Sequence, residues 1–298
     1  MTVTLQDVSM ITGLPISGEA IVPPPKRADW RRYLAARFGV PIENTAGGQI
    51  QRGVPLKWLS TFRRCPANAP EGVVRMHLFA YLMYLFGWFM FPSSHGNTVY
   101  PSYIHLAEEL AFAPPEGARQ YSWGSAVLCA TYRGLCDATK LTKGNAPVLN
   151  VCHTLLQLWS WEHLPVGRPQ FITPVHPYAP HDCPIGGPTM GTRWTYGKLR
   201  WACDRTLNCY PYYHQQFEDL HEQYVIWYPW TEEHINNVAP HGLSIQCTRD
   251  SAYWMTTCHL VFSHMVEPYA PQRVMRQFNR FQTVPPPAGR LLPRKVHQ

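Results

Sequence analysis

The sequence predicts a mainly α-helical protein, a single multi-helix globular domain with a few short strands and Pro-rich loops. Apolar residues recur at helical spacing in several segments, most regularly in residues 121–138. Hydrophobic residues make up 45% of the 298 residues, so the chain can bury a sizeable core. The 29 prolines mark many loops and short elements. We expect one domain over residues 1–284 and a basic, disordered tail over residues 285–298.

Residues 121–138 are predicted to form the central helix. Its apolar residues occupy two faces and leave little room for a polar one, so we expect a helix buried on most sides. A ridge of small residues spaced four apart comprises Ser122, Ala126, Ala130 and Gly134. Such a ridge lets a second helix approach closely, and we expect residues 150–163 to be that antiparallel neighbour. Ser122 is also expected to cap the helix.

The chain before this segment predicts five helices. The first begins after Thr4, whose side chain can cap it, has Asp7 three residues further on, and ends at Gly13. The next four are predicted at residues 29–40, 55–64, 71–91 and 102–112. Residues 78–92 are uncharged and strongly apolar, but they are shorter than the about 20 residues needed to cross a bilayer. We therefore expect a core helix ending at Pro92.

The chain after the central segment is more irregular. Pro and Gly are dense in residues 165–191, which predicts a long loop that is either functional or mobile. Residues 225–230 are predicted to be a short strand or an extended segment. Helices are predicted at residues 150–163, around residues 217–224, and at residues 250–266 and 272–283.

Composition limits the possible partners and the compartment. A formal net charge of +7 permits contact with nucleic acid or an acidic partner without requiring either. Nine cysteines, an odd number, are scattered singly along the chain. The first residues lack the basic start and apolar run of a signal peptide, so we expect reduced thiols in the cytosol or nucleus and no membrane contact.

The sequence contains a few candidate metal ligands. His176, His181 and Cys183 lie close together in the irregular region, with Cys203 and Cys209 as possible additions. They are weak candidates, because structural zinc sites usually include a CxxC pair and none is present. The alternative, which we prefer, is a polar loop together with singly buried cysteines.

Catalytic and cofactor motifs are not predicted. Cys152–His153 and Cys258–His259 are sequence neighbours, but neighbours on a helix point in different directions. The chain has neither a GxxxxGK[ST] nor a GxGxxG loop, and no lysine stands in a setting typical of a pyridoxal cofactor. Adjacent acid pairs, interpreted as solvated faces, are Glu108–Glu109, Glu218–Asp219 and Glu232–Glu233. We therefore predict no cofactor and no enzyme activity.

The predicted last helix has a basic face. Arg273, Arg276 and Arg280 are spaced three and four apart. Its apolar face, which should pack inward, comprises Val274, Phe278 and Phe281. The basic run continues into the tail with Arg290, Arg294 and Lys295. The guanidinium groups could bind nucleic acid or an acidic partner; the alternative is a solvated helix face, with an Arg paired to Glu267.

Four long segments resemble one known family. They are VTLQDVSMITGLPISGEAI, YSWGSAVLCATYRGLC, LLQLWSWEHLPVGRP and VEPYAPQRVMRQFNRFQTVPPP. In this order and spacing, across nearly the whole chain, they resemble the plant mobile domain. Asn279 departs from the family pattern, which tends to have Gly at that place. We refer to the four as the signature segments.

The resemblance implies a nuclear plant protein of mainly helical fold. Relatives in the family act in transposon silencing, gene expression and meristem maintenance, in company with a phosphatase-like partner. The family is sometimes labelled aminotransferase-like, a label that the residues of this chain do not support. The sequence thus predicts a nuclear, non-enzymatic interaction module. The alternatives are direct binding of DNA or RNA by a transposon-encoded accessory protein, and an uncharacterised enzyme.

Overall fold

The computed structural model describes residues 1–43, 45–46, 49–50, 52–93, 96–114, 119–140, 149–171, 186–198 and 206–285. The described chain is mainly α-helical, as predicted. Its α-helices are α1 (Leu5–Thr12), α2 (Trp30–Phe38), α3 (Leu56–Ser60), α4 (Glu71–Leu85), α5 (Tyr103–Phe112), α6 (Trp123–Thr139), α7 (His153–His163), α8 (Thr206–Glu218) and α9 (Glu232–Val238). A π-helical turn, Phe86–Met90, continues α4.

The short strands form two-stranded antiparallel sheets. The strands are β1 (Thr45–Ala46), β2 (Gln49–Ile50), β3 (Val54–Pro55), β4 (Thr98–Val99), β5 (Gln170–Phe171), β6 (Gly197–Lys198), β7 (Cys258–Phe262) and β8 (Met265–Tyr269). Short 3₁₀ helices lie at Met190–Tyr196, Glu222–Tyr224, Ile245–Cys247, Ser251–Tyr253 and Pro271–Phe278. Residues 225–230 follow one of them and form no strand, which agrees with the extended segment predicted there.

The first helix forms as predicted because its cap is local. The Thr4 side chain accepts a hydrogen bond from the Asp7 backbone, and the Asp7 carboxylate accepts one from the Thr4 backbone, which completes a capping box. Gly13 ends the helix with a left-handed φ of 68°. All residues of α1 except its last are buried, so this short helix is a core element.

The helix predicted at residues 250–266 is wrong. This region contains a 3₁₀ turn and then the β7–β8 hairpin, whose register pairs Phe262 with Met265 and Cys258 with Tyr269. The two-residue turn between the strands starts at Ser263, which has a left-handed φ of 55°. Leu260 and Phe262 alternate with less buried neighbours and pack into the core. An alternation this short is difficult to distinguish from a helical pattern.

The central helix α6 is buried as predicted, but its expected neighbour, residues 150–163, meets the ridge of small residues only at its first residues, beside Gly134. The elements packed most extensively on α6 are the β7–β8 hairpin and α1, whereas α7 packs on α1. A Cβ added at Gly134 would lie 2.1 Å from the carbonyl oxygen of Asn150, so the small residue admits the backbone just before α7. Ser122 precedes the helix but does not cap it, because its hydroxyl donates to the carbonyl of Glu19.

The last predicted helix is shorter and tighter than expected. It is the 3₁₀ helix Pro271–Phe278, which starts at Pro271 as predicted and is interrupted by non-helical backbone angles at Val274. Asn279, in the left-handed region with a φ of 53°, ends it. A Gly, which the family pattern favours here, adopts that conformation without steric cost. The helix therefore cannot present one regular face through residue 283.

Candidate interaction surface

A buried His–Asp pair joins the first and third signature segments. The Oδ1 atom of Asp7 lies 3.0 Å from Nε2 of His163 and accepts a hydrogen bond from the Trp230 indole at 2.9 Å. Its Oδ2 atom accepts from the backbone and hydroxyl of Thr4, both at 2.8 Å. The Asp7 and His163 side chains are 2% and 0% exposed.

The hydrogen-bond partners of this pair lie inside the protein. Four polar groups, from Thr4, His163 and Trp230, converge on the Asp7 carboxylate. The other ring nitrogen of His163, Nδ1, lies 2.9 Å from the carbonyl oxygen of Ile226, which can only accept. Nδ1 therefore donates, and Nε2 faces the Asp7 carboxylate. A His–Asp pair enclosed in this way holds the fold together and offers no surface to a substrate.

A second buried charge cluster surrounds the neighbouring Glu162. One carboxylate oxygen accepts from Arg193 and the other from the indole of Trp194, each at 2.7 Å. Arg168, from the same signature segment, donates to the Glu162 carbonyl at 2.9 Å. Burial lowers the pKa of the Arg193 guanidinium, and Glu162 acts in the opposite direction. The two arginines are thus charge partners of a buried carboxylate.

The second and fourth signature segments are joined in the same manner. Arg133 of α6 lies 2.6 Å from the carboxylate of Glu267 on β8. Gln277 exchanges two hydrogen bonds with the backbone of Thr2, each at 2.8 Å. The predicted pairing of Glu267 with an arginine of the last helix is therefore wrong, because Arg133 occupies this carboxylate.

A cleft of about 520 Å³ lies beside α6. Its lining includes polar side chains from α6 and from the turn of the β7–β8 hairpin, among them Arg133, Asp137 and His264. Arg133 faces Glu267 as described, so the main cation of the cleft has an internal partner.

The adjacent Cys and His residues do not form dyads. Cys152 is fully buried whereas His153 is exposed, and burial raises the pKa of the Cys152 thiol to about 11. On β7, burial likewise raises the pKa of Cys258. Raised values keep both thiols protonated at neutral pH, which is the opposite of an activated nucleophile.

The basic residues of the last helix separate into two kinds. Arg276 lies 2.9 Å from the carboxylate of Glu222, and its guanidinium stacks 3.8 Å from the ring centre of Trp227. Arg273 and Arg280 are exposed. Phe281, predicted to face inward, is 88% exposed. The three arginines therefore do not act as one group, and the predicted apolar face does not extend to residue 281.

The long helix α4 exposes apolar residues that the sequence analysis assigned to the core. Phe79, Ala80 and Met83 are buried against the core, and α3 and α5 pack on the helix. The opposite side carries apolar residues spaced four, three, four and three apart, which we call the α4 stripe: Val74, Leu78, Tyr81, Leu85 and Trp88. Leu85 is partly buried and packs against the core, whereas the other four are exposed. Tyr81 is 61% and Trp88 63% exposed. This spacing places the five side chains along one face.

The α4 stripe is the main feature that sequence reasoning missed. Residues 71–91 were predicted to be a helix, and the structure confirms this with α4 and its π-helical turn. By length and composition alone, the 20-residue run Glu71–Met90 also passes the test for a membrane-spanning helix, a test that core helices pass too. The uncharged sequence favoured burial on all sides, and only the heptad spacing could have indicated a separate exposed face.

Comparison of the sequence with known proteins identifies its family. The sequence model of the plant mobile domain family matches residues 1–298. The chain belongs to the plant mobile domain family. It is 31% identical over 295 residues to "Serine/threonine-protein phosphatase 7 long form homolog" of Arabidopsis thaliana. The match covers 96% of this chain and 20% of that protein. No solved structure matches the chain.

Two further relatives from Arabidopsis thaliana carry other names. The plant mobile domain chain is 30% identical over 287 residues to "Protein MAIN-LIKE 1", covering 96% of this chain and 50% of that protein. It is 28% identical over 299 residues to "Protein MAINTENANCE OF MERISTEMS", covering 99% and 55%. The chain thus spans from a fifth to about half of the length of these relatives.

Several predicted site residues of this plant mobile domain lie outside the described residues. They are His176, His181, Cys183, Cys203, Arg290, Arg294 and Lys295. Within the described part of the chain, no group of three or more His, Cys, Asp and Glu side chains could hold a metal ion. The exposed features of that part include the α4 stripe and the end of the basic segment around Arg280.

Proposed function

We propose that this chain is a non-enzymatic interaction module of the nucleus, acting in gene-expression control, transposon silencing and meristem maintenance with a phosphatase-like partner. The observation that carries the proposal is the α4 stripe, since an exposed apolar patch on a folded domain marks a site of macromolecular contact. The names of the relatives support the biological setting, because one refers to the maintenance of meristems and another to a serine/threonine phosphatase.

The burial of the signature residues supports the same proposal. Asp7, Glu162 and His163 would be the most chemically suggestive groups of the chain, yet each is buried and hydrogen-bonded to other signature or core residues. Their geometry serves stability, so the surface is where a function must be located. An interaction module requires a folded scaffold with an accessible patch, which is the combination seen here.

Affinity purification of the tagged chain from plant nuclei, with and without nuclease, tests this function. We expect a phosphatase-like protein to remain bound after nuclease treatment. A chain with Tyr81→Glu and Trp88→Glu should recover fewer proteins than the wild type. Ile245→Glu is the matched control, because Ile245 is 69% exposed on the 3₁₀ helix Ile245–Cys247, which packs on α1. Loss of every protein partner on nuclease treatment would contradict the proposal.

A second candidate function is direct binding of single-stranded nucleic acid by the basic segment. The observation in its favour is an exposed aromatic ring beside exposed cations: Phe281 is 88% exposed next to Arg280, and Arg273 is also exposed. Bases stack on aromatic rings while arginines contact phosphates. This combination suits a strand whose bases are unpaired.

Salt dependence of binding to a labelled oligonucleotide tests the second candidate. Replacing Arg273 and Arg280 with Ala should reduce the slope of log K against log salt by about 1.4, at roughly 0.7 per phosphate contact for a single strand. Arg276→Ala is the control, because that side chain is held by Glu222 and stacked on Trp227. An unchanged slope in the double variant would eliminate this function.

A further inference from the structure

The geometry of the α4 stripe restricts what can cover it. Its alternating four- and three-residue spacing is that of the a and d positions of a heptad, the pattern by which one helix packs along another. The stripe extends from Val74 on α4 to Trp88 within the π-helical turn. Tyr84 lies beside it, with its ring 6.1 Å from that of Trp88. A helix of similar length and apolar character would fit along this face.

We propose that the α4 stripe packs against the α4 stripe of a second copy of this chain, with the two helices antiparallel about a two-fold axis at Tyr81. This inference rests on the proposed function, since it assigns the same surface to self-association, and the phosphatase-like protein of that proposal then binds the dimer. An isologous contact of this kind uses one patch on both subunits, so the patch has to be complementary to itself.

The charges on α4 fit a second copy. Residues 76–92 contain no Asp, Glu, Lys or Arg. The cation just before them, Arg75, is held by Glu71 at 2.7 Å. Close to a two-fold axis each charged group would face its own copy, and such like-charge pairs are unfavourable. The absence of charge along the stripe removes that obstacle, and it leaves a charged partner with no complementary group there.

The sizes of the side chains also fit an antiparallel pair. With the axis at Tyr81, residue 74 faces residue 88 and residue 78 faces residue 84. The small side chain of Val74 is then opposite the large one of Trp88. Leu78 is opposite Tyr84 and Leu85 is opposite His77, at positions where Tyr84, Leu85 and His77 are partly buried. Large residues facing small ones let two helices interdigitate without voids. A parallel arrangement would instead place Trp88 against Trp88 and Val74 against Val74.

The exposed area indicates a concentration-dependent dimer. Aromatic side chains bury roughly 150–250 Å² each, so Tyr81 at 61% and Trp88 at 63% exposure present on the order of 250 Å² per copy. Val74 and Leu78, at 45% and 40% exposure, add to this. Doubled over two copies, the area approaches the about 1,000 Å² at the lower limit of specific interfaces.

Light scattering coupled to size exclusion measures the first consequence. The mass should rise from 34.2 kDa toward twice that value as the concentration increases over roughly 1–100 μM, the range for an interface of this size. Tyr81→Glu with Trp88→Glu should stay monomeric, with unchanged circular dichroism. The matched control Ile245→Glu should still dimerise. A wild-type chain that is monomeric throughout, or a dimer that persists in the Glu variant, overturns the proposal.

Cysteine crosslinking with a short bismaleimide tests the direction of the helices. In a background with exposed Cys65 and Cys136 replaced by Ser, Tyr81→Cys should crosslink to itself above that background. Val74→Cys should crosslink to Trp88→Cys on another copy and not to itself. Self-crosslinking of Val74→Cys would overturn the antiparallel arrangement. A monomeric chain that still retains a phosphatase-like protein after nuclease would overturn the dimer and leave the proposed function standing.

Discussion

Removing the Asp7 carboxylate tests whether the buried polar network holds the fold together. In Asp7→Ala the His163 ring, the Trp230 indole and the backbone N–H and hydroxyl of Thr4 lose their partner. Leaving a buried polar group unsatisfied costs about 1–3 kcal/mol, and groups of three residues are affected here. We therefore expect the free energy of unfolding to fall by roughly 3 kcal/mol or more.

Urea unfolding followed by circular dichroism and tryptophan fluorescence measures this loss. Asp137→Ala is the matched control, since Asp137 forms an ion pair with Lys140 at 2.9 Å in which both side chains are more than half exposed. An exposed pair of this kind contributes roughly 0–1 kcal/mol. If Asp7→Ala lowers the free energy of unfolding by no more than the control does, the network is not a main source of stability and the reasoning fails.

Three further predictions concern packing, thiols and acid stability. Gly134→Ala should lower the free energy of unfolding in urea by about 1–3 kcal/mol, because its Cβ would lie 2.1 Å from a backbone oxygen. The control Gly72→Ala, whose Cβ would have nothing within 4 Å, should be neutral or stabilising. Equal effects of the two substitutions would contradict this prediction. In the folded chain, exposed Cys65 and Cys136 should react with iodoacetamide well before the buried thiols, and mass spectrometry that finds equal labelling would refute the burial. The buried thiols, whose pKa values burial raises to about 11 or 12, are Cys129, Cys152 and Cys247. The pKa of Asp250 is lowered because, although burial raises it, hydrogen bonds from the backbone and hydroxyl groups of neighbouring loop residues outweigh that effect. Its contribution to stability is therefore complete above the ordinary carboxyl pKa of 3.8 and lost as the pH falls through the folded value, so the stability difference between wild type and Asp250→Asn should narrow in acid; a constant difference would contradict the assignment.

Local signals in the sequence predicted much of the helical fold. The capping box of Thr4 and Asp7 and the helix end at Gly13 involve residues of one short stretch, so the local sequence contains every residue that they need. The helices near residues 29–40, 102–112, 121–138 and 150–163 are confirmed with ends shifted by at most three residues. Helical periodicity reports such elements because each turn brings its own residues together.

Contacts between distant residues could not be predicted in this way. Asp7 and His163 are 156 positions apart, and nothing in the local pattern of either pairs them. The β7–β8 hairpin was not predicted for the same reason, since Leu260 and Phe262 are buried by elements distant in the sequence. Periodicity also gives the faces of a helix without saying which face is covered, and so the exposure of the α4 stripe was missed.

The positions of the buried pairs explain why the signature segments identify the family without identifying a function. The buried pairs link the first segment to the third through Asp7 and His163, and the second to the fourth through Arg133 and Glu267. Residues that hold distant parts of a chain together constrain the fold whatever surface it carries. The α4 stripe lies at residues 74–88, between the first and second signature segments. The α4 stripe is therefore separate from the residues that hold the scaffold, and Tyr81→Glu with Trp88→Glu should abolish self-association while leaving the unfolding free energy within about 1 kcal/mol.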